Sequence, residues 1–433
     1  MSLVLHDARL VDPATGREGP GALWIEGGRI SDIAWGAMPG LPEGADRVDC
    51  AGRVLAPGLV DLGVTVGEPG ARHRESYRSA GLAAAAGGVT TMVVQPDTAP
   101  AVDDPAIVEF IHRRAAESCP VRVAAIGALT KGLGGREMAE LGLMRDAGAI
   151  AFGDAHHPVA DAQVFRRCLT YARGLGSLVI HHPQEPSLSR GVATESEFSG
   201  RLGLPGTAAI AERIMLERDL ALVETTGARY HADTLTTRGA LAALRRALEA
   251  GLPVTAGTSV HHCTLNEIDI GDYRTFFKLD PPLRVEEDRE AVLRALADGL
   301  IDVIASGHSP WDEESKRLPF EAAAVGAVGL ETLLSACMPL VLDGPLSLPA
   351  LFGLLSLNPA RLLGLDGGRL APGAPADLVL VDPEAPHVLD RFALRSKSKN
   401  TPFDRRRMTG KVLGTWVAGR RVFDRQAETD QAR

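Results

Sequence analysis

Hydrophobic and polar residues alternate in short blocks over the first 56 residues. Turn-forming residues such as Gly27 and Gly28 separate the apolar runs, which lie at 3–5, 23–25, 30–33 and 53–55. Short apolar runs bounded by turns are typical of β-hairpins. The pattern therefore predicts a small antiparallel sheet at the start of the chain.

From residue 57 to about residue 365 the pattern changes to apolar strands followed by Ala- and Leu-rich helical stretches. The predicted strands are 59–64, 89–94, 121–126, 149–152, 177–180, 228–232, 253–256 and 302–305. Eight strands that alternate with helices predict a parallel (β/α)8 TIM barrel of the α/β class.

After Gly367 short strand-like runs return, at 376–381 and 412–417. We expect them to complete the sheet begun at the N-terminus. The predicted organisation is a small β domain from residues 1–56 and 366–433, the latter including a tail, around a barrel of residues 57–365.

Composition narrows the class of protein. The chain has 433 residues, of which 45% are hydrophobic and 23% charged, which is enough for a large core. The net charge is −9 and Arg405, Arg406 and Arg407 form the one compact basic cluster, which argues against nucleic acid as a partner. No apolar run approaches the ~18 residues of a membrane span, and the start lacks a basic leader, so we expect a cytoplasmic protein.

The cysteines predict neither a disulfide framework nor a zinc site, because they are far apart and form no CxxC pair. We expect them to be reduced and mostly buried. They are Cys50, Cys119, Cys168, Cys263 and Cys337.

Several ordered segments resemble the bacterial dihydroorotases, cyclic amidohydrolases of pyrimidine synthesis, over nearly the whole chain. These segments are 83–91, 126–133, 201–206, 278–284, 326–332, 358–361 and 396–403. The resemblance implies an amidohydrolase-type barrel. Most of these segments are framework, and framework does not establish activity.

The family's chemistry uses one or two divalent cations at the carboxyl ends of the barrel strands. An Asp-x-His-x-His run on the first strand supplies two ligands in the family, and here the two histidine positions hold Gly63 and Thr65. The fourth strand supplies a carboxylated lysine or an aspartate. No lysine lies between Gly132 and Phe277, and the aspartate version keeps one of its two acids, Asp154.

The remaining strands show the same losses. The fifth strand keeps its histidine, His182, but Thr234 replaces the ligand of the sixth strand. On the eighth strand His308 remains, whereas Gly307 replaces the aspartate that binds metal and carries the proton. The resemblance thus implies a site that has lost its catalytic base.

Two substrate-binding positions have also changed. Gly67 stands where the family has the arginine that holds the dihydroorotate carboxylate, and Asp97 stands where it has an asparagine. Loss of the arginine would remove ~1.5–3 kcal/mol of charge-assisted hydrogen bonding. A carboxylate at Asp97 would also repel the substrate.

Residual polar residues allow two interpretations, a metal site or hydrogen bonds within loops. They are Asp154, His156, His157, His181, His182, His231, His261, His262 and His308. We favour hydrogen bonding, because metal ligation needs convergence and supporting contacts. We expect His261 and His262 to be structural.

For two further features we favour a structural interpretation over a functional one. The cluster of Arg405, Arg406 and Arg407 is most simply a solvated turn, with a partner contact as the alternative. A Cys263–His262 dyad is disfavoured, because adjacent residues on a strand point to opposite faces.

The leading hypothesis is a non-catalytic dihydroorotase-like protein, a pseudoenzyme without cofactor. The resemblance implies that such a relative assembles with aspartate carbamoyltransferase and supports its stability or activity; we also expect a homo-oligomer. The alternative is an active cyclic amidohydrolase with a mononuclear zinc site built on His182, Asp154 and His308. A weaker third hypothesis is a small-molecule sensor that uses the emptied pocket.

Overall fold

The computed structural model describes residues 2–36 and 44–427. The strands are β1 Ser2–Asp12, β2 Arg17–Glu26, β3 Arg29–Trp35, β4 Asp46–Asp49, β5 Val54–Pro57, β6 Leu59–Val64, β7 Val89–Val94, β8 Arg122–Gly127, β9 Ala149–Phe152, β10 Leu178–His181, β11 Ala193–Thr194, β12 Gly206–Thr207, β13 Arg229–Ala232, β14 Val254–Ser259, β15 Val303–Ala305, β16 Leu378–Val388, β17 Arg407–Val417 and β18 Arg420–Asp424.

Strands from both ends of the chain form one sheet, as the sequence predicted. Its order is β18-β17-β16-β5-β1-β2-β3, and β4 also pairs with β1. The prediction that the N-terminal strands are all antiparallel is wrong, because β4 and β5 run parallel to β1. The edge of β1 next to β2 is already paired, so β4 and β5 use its other edge, and β5 then pairs antiparallel with β16.

The predicted barrel is confirmed. Eight strands lie in the order β15-β14-β13-β10-β9-β8-β7-β6. Side-chain and loop contacts close the gap between β15 and β6: the Ser306 amide donates to Oδ1 of Asp61 at 2.8 Å, and the Thr65 amide donates to the His308 carbonyl at 2.9 Å. The ends of the first and eighth barrel strands, where the family has ligands, are therefore held together.

Helices cover the outside of the barrel. They are α1 Tyr77–Ala86, α2 Pro105–Ser118, α3 Leu141–Asp146, α4 Ala162–Leu175, α5 Glu197–Arg201, α6 Ile210–Thr226, α7 Arg238–Glu249, α8 Val260–Thr264, α9 Glu286–Ala297, α10 Glu313–Arg317, α11 Leu333–Cys337, α12 Pro339–Leu342, α13 Leu348–Phe352 and α14 Asn358–Leu363. Their ends follow ordinary capping chemistry: Asp161 accepts from the amides of Gln163 and Val164 at the start of α4, and Gly176 ends it with φ +68°.

The buried hydrophobic residues form three clusters, one of which consists mainly of barrel-strand residues such as Val60, Val93 and Ile126. The barrel strands pack on their helices through residues such as Phe152, Phe165 and Leu216, all fully buried. The terminal sheet has its own cluster around Leu5, Leu10 and Trp416. The boundaries at residues 56 and 365 remain predictions.

Two sequence expectations concern the chain as a whole. The five cysteines are free and all but Cys119 are buried, as predicted. Within residues 2–36 and 44–427 we find no helix with the length and apolar character needed to cross a membrane.

Candidate functional site

A cavity of about 280 Å³ lies at the carboxyl ends of the barrel strands. Three of the substituted family positions, Asp97, Thr234 and Gly307, line it. The other lining residues are His156, His157, Ser259, His261, His262, Leu279, Asp280, Ser309, Trp311, Val325 and Gly326. The sequence thus located the mouth of the barrel.

The first strand ends in a backbone that suits glycine. Gly63 has φ +108°, a conformation that side-chain-bearing residues rarely adopt, and a Cβ there would lie 3.3 Å from Nε2 of Gln95. Two residues on, the Thr65 hydroxyl donates to Oδ2 of Asp97 at 3.1 Å. The two substituted positions, one from the metal site and one from the substrate site, therefore bind each other.

Gly67 has no room for a side chain. A Cβ there would lie 2.3 Å from the carbonyl oxygen of Ala71 and 3.1 Å from that of Glu75. These are backbone atoms of the following turn, which cannot rotate away. The neighbouring Glu68 fixes that turn by accepting from Nε of Arg114 at 2.7 Å and from the Tyr77 amide at 3.2 Å.

Asp154, the retained acid of the fourth barrel strand, serves the backbone. Its Oδ1 accepts from the amides of Leu129 and Thr130 at 2.8 and 2.9 Å, and its Oδ2 accepts from the Thr130 hydroxyl. Burial raises the pKa of Asp154 against the lowering effect of these bonds. Both carboxylate oxygens accept hydrogen bonds, so this side chain ties the loop after β8 to the end of β9.

Thr234 and Gly307 both have left-handed backbone. Thr234 has φ +51° and donates to Oδ1 of Asp233 at 3.1 Å. Gly307 has φ +60°, and a Cβ there would meet Ser259 Cβ at 3.3 Å and His261 Cδ2 at 3.4 Å. Position 307 is therefore tight for a side chain but not blocked by backbone.

His181 and His262 make structural hydrogen bonds, as expected for part of the histidine set. Nδ1 of His181 lies 2.7 Å from Oδ2 of Asp219, and Nε2 accepts from the Val159 amide at 2.9 Å. His262 contacts the Ser259 hydroxyl at 2.8 Å and the Pro281 carbonyl at 2.9 Å.

The predicted Cys263–His262 strand geometry is wrong, because both residues lie on helix α8. Burial raises the pKa of the Cys263 thiol to about 12. Since both His262 ring nitrogens are hydrogen-bonded to other groups, the pair has no catalytic arrangement.

His308 faces a buried acid behind the mouth. Its Nδ1 accepts from the Gly329 amide at 3.2 Å, and its Nε2 lies 3.7 Å from Oε2 of Glu75. Although burial opposes ionisation, the pKa of Glu75 is lowered by His308 and by a hydrogen bond from Ser396. His308 thus belongs to an internal polar contact.

The described part of the chain contains one group of three possible metal ligands, His156, His182 and Asp280, whose donor atoms lie within 4.8 Å of one another. This group includes His182 from the predicted set and neither Asp154 nor His308. Neither ring nitrogen of His182 has a hydrogen-bond partner among the described residues, and the side chain is 1% exposed. His182 is therefore a retained family position whose two ring nitrogens are both free to bind a ligand, although it lies behind the residues that line the cavity.

Asp280 dominates the electrostatics of this group. Its Oδ1 lies 3.7 Å from Nε2 of His182. Burial would lower the pKa of His182, but the facing carboxylate raises it above its ordinary value. Desolvation at the mouth opposes ionisation of Asp280, whose side chain is 42% exposed, and the imidazole of His182 nevertheless lowers its pKa to about 2.

Sequence reasoning assigned Asp280 only to a framework segment. Another missed residue is Glu212, a fully buried carboxylate on α6 that accepts from the amides of Thr236 and Thr237 at 2.9 Å. Arg284 lies 3.5 Å from its other oxygen. These contacts join residues that are far apart in the chain, so the role of Glu212 could not be predicted from the sequence. For Asp280 the sequence offered one signal, an acid two residues after Lys278.

Three buried neutral histidines predict loss of stability in acid. Burial lowers the pKa of His231, His261 and His262 to about 4, 3 and 4. The unfolded chain therefore binds protons below pH 6.5 that the folded chain excludes. As the pH is lowered from about 6.5 to about 4, the free energy of unfolding decreases. Each histidine contributes roughly 1.4 kcal/mol per pH unit.

His261→Gln isolates this contribution, because it removes one titrating ring that makes no hydrogen bond among the described residues. Urea unfolding at pH 6.5, 6 and 5 should give a shallower pH slope for this variant than for the wild type. The exposed His157 supplies the control, and His157→Gln should leave the slope unchanged. Equal slopes for all three proteins would contradict the assignment.

The comparisons with known proteins agree with this architecture. Residues 52–240 match the family described as Dihydro-orotase-like, and residues 340–423 match one described as Amidohydrolase family. A protein named dihydroorotase from Anaeromyxobacter dehalogenans is 40% identical over 98% of both chains. Another of that name from Desulforapulum autotrophicum is 41% identical over 98% of this chain and 100% of its own.

Solved structures show a similar fold. L-Hydantoinase (dihydropyrimidinase) from Arthrobacter aurescens superposes with a TM-score of 0.87 at 23% identity, covering 98% of this chain and 96% of the other. D-Hydantoinase (dihydropyrimidinase) from Thermus sp. gives a TM-score of 0.83 at 21% identity, with 98% and 95% covered. At this identity the likeness concerns the fold alone.

Proposed function

Because the chain belongs to the dihydroorotase family of amidohydrolases, we propose that it is a non-catalytic member of that family. In this proposal it acts in the cytoplasm, in pyrimidine biosynthesis, as a structural or activating partner of aspartate carbamoyltransferase, and it forms a homo-oligomer. The family membership supports the pathway, and the state of the barrel mouth supports the loss of catalysis.

One observation carries the proposal. The group of three possible ligands found in the described residues lies in segments after β9, after β10 and before α9, and it includes nothing from the ends of β6 or β15. Cations that activate water and polarise an amide need donors that converge from several strands. At the ends of β6 and β15 this chain offers Gly63, Thr65 and Gly307 instead.

The two substrate-binding positions also support the loss of catalysis. Gly67 cannot carry an arginine, because the following turn occupies the space of its Cβ. Asp97 places a carboxylate in the cavity wall, with one oxygen bound by Thr65 and the other buried without a partner among the described residues. An anionic substrate would meet repulsion from Asp97, where the family has a neutral asparagine, and would find no cation at Gly67, where the family has an arginine.

The polar framework behind the mouth remains complete. Asp154 joins two barrel loops, and Glu212 with Arg284 joins three further segments. Leaving a buried charge of this kind unpaired costs about 3–5 kcal/mol. A barrel that keeps this framework without the chemistry of its mouth fits a role carried by its surface.

Association with aspartate carbamoyltransferase tests the partner role. The two proteins from one organism are mixed at micromolar concentration and analysed by size-exclusion chromatography with light scattering, and carbamoyltransferase turnover is measured with and without the chain. We expect a stable complex and higher stability or turnover of the partner. A catalytically intact dihydroorotase serves as the control for non-specific association. Separate elution with unchanged partner turnover would contradict the partner role.

A second candidate function is an altered mononuclear hydrolase, and the geometry favours His156, His182 and Asp280 over the predicted set. The free nitrogens of His182 fit a cation. A divalent ion held there would supply a polarising charge and a bound water of lowered pKa. Because Asp280 favours protonated His182, any metal affinity should weaken as the pH falls. Turnover that depends on His182 would favour this candidate.

A further inference from the structure

A second, larger cavity of about 540 Å³ lies beside the barrel mouth, between the 3-10 helical turn Thr275–Phe277, helix α10 and the chain before β17. Five cationic side chains line it, and two acidic ones. The cations are Arg274, Lys316, Arg317, Arg391 and Arg405, and the acids are Glu313 and Asp404. A groove with this excess of positive charge stands out in a chain of net charge −9.

The two acids leave part of the positive charge unpaired. Glu313 accepts from Arg317 at 2.8 Å and lies 3.9 Å from Arg391, and Asp404 lies 3.7 Å from Arg391. Arg405 is exposed and makes no ion pair among the described residues. Arg405 belongs to the basic cluster that the sequence predicts to be a solvated turn, but Arg406 pairs with Asp269 and Arg407 begins β17.

Arg274 is fixed without a carboxylate partner in the described ranges. Its guanidinium lies 4.3 Å from the centre of the Phe277 ring and donates to the Asp269 carbonyl. Stacking of this kind holds the side chain in one orientation while its charge stays available. A pre-oriented guanidinium binds phosphate oxygens with little loss of entropy.

Lys316 adds an amine that backbone carbonyls hold in place. Its Nζ donates to the carbonyls of Thr275 at 3.0 Å and Ala324 at 2.7 Å. Lys278 nearby donates in the same way to Glu321 and Ala323, both at 2.8 Å. Burial, together with repulsion from Lys278, lowers the pKa of Lys316 to about 7. A bound anion would relieve this repulsion.

The positive surface continues into an adjoining cavity of about 210 Å³. This cavity shares Phe276, Glu313, Lys316 and Arg391 with the first, and the charged residues that it adds are Lys397, Lys399 and one further acid, Asp312. Nζ of Lys397 donates to the Arg72 carbonyl at 2.9 Å, so it too is held by backbone. Four of the six lysines in the chain therefore surround this region.

We propose that this groove is a binding site for a phosphorylated small molecule, with the guanidinium groups of Arg274, Arg391 and Arg405 contacting the phosphate. Phosphate is the anion that matches several converging guanidinium groups, and the larger cavity has the volume of a drug-sized metabolite. Binding at this groove requires neither catalysis at the barrel mouth nor association with another enzyme, so the site is independent of the proposed function.

Titration of the full-length chain with inorganic pyrophosphate tests this site by calorimetry and by thermal shift at constant ionic strength. We expect saturable binding to the wild type, and a Kd raised by about tenfold or more in the double variant Arg274→Gln/Arg405→Gln. The control is Arg201→Gln, which removes a 68% exposed arginine elsewhere and should leave the Kd unchanged.

Three results would overturn the site. The double variant could bind pyrophosphate as tightly as the wild type, or potassium chloride at equal ionic strength could produce the same thermal shift. Polyglutamate could also bind in an Arg274- and Arg405-dependent way while pyrophosphate does not, which would assign the groove to an acidic protein segment. Circular dichroism confirms that the variants are folded before titration.

Discussion

Replacing Gly67 with arginine, the residue that the family uses to hold the substrate carboxylate, is expected to destabilise the protein by about 3 kcal/mol or more. The Cβ alone would lie 2.3 Å from the Ala71 carbonyl oxygen, well inside contact distance. Relief requires the turn after β6 to move, and Glu68 ties that turn to Arg114 and Tyr77. Gly67→Ala should show most of the same loss, since the conflict begins at Cβ.

Urea unfolding of both Gly67 variants gives the measurement, and Gly307→Asp is the matched control. Position 307 has φ +60°, which aspartate tolerates better than most residues, and its nearest contacts are side-chain atoms at 3.3–3.7 Å. Returning that family residue should therefore cost no more than ~1–2 kcal/mol. A Gly67→Arg protein as stable as Gly307→Asp would show that the turn yields easily and that the substrate pocket is not closed.

Much of the fold could be predicted from the sequence because the barrel has a strong period. Each apolar strand, from residues 59–64 to 302–305, is followed by a helical stretch, and this alternation leaves few other architectures. Strand direction in the terminal sheet could not be predicted in this way. Residues 46–49 and 54–57 pair parallel to β1 because the edge of β1 away from β2 was free. Which edge is free depends on the whole sheet and not on the local sequence.

The candidate site also has features that the sequence predicts and features that it does not. Position in a motif was enough to place Asp97, Thr234 and Gly307 at the mouth. It was not enough to show where a side chain points, and Asp154 turns its oxygens to Leu129 and Thr130 instead of the cavity. Conversely, Asp280 joins His156 and His182 across segments that are distant in the chain.

The barrel mouth therefore combines lost ligands with new internal contacts. The Thr65 hydroxyl binds the Asp97 carboxylate, so the residues at one metal-binding and one substrate-binding position of the family contact each other here, and Nε2 of His182 lies 3.7 Å from the Asp280 carboxylate. The family chemistry would need more than one of these positions to change. We expect that no one replacement restores catalysis.

The largest expected effect concerns catalysis itself. An enzyme of this class accelerates its reaction by about a millionfold or more, and we expect this chain to provide none of that acceleration for dihydroorotate. The reason is the absence, at the described ends of β6 and β15, of the ligands and of the proton acceptor that the chemistry needs. Removing His182 from an inert protein should change nothing.

Hydrolysis of dihydroorotate by the purified full-length chain with added Zn²⁺, followed beside His182→Gln and beside a dihydroorotase with its complete ligand set, tests the central claim most directly. The account predicts that the wild type and His182→Gln both run at the rate of buffer with Zn²⁺ while the intact enzyme turns over. Zinc-dependent turnover by the wild type that is lost in His182→Gln would contradict it.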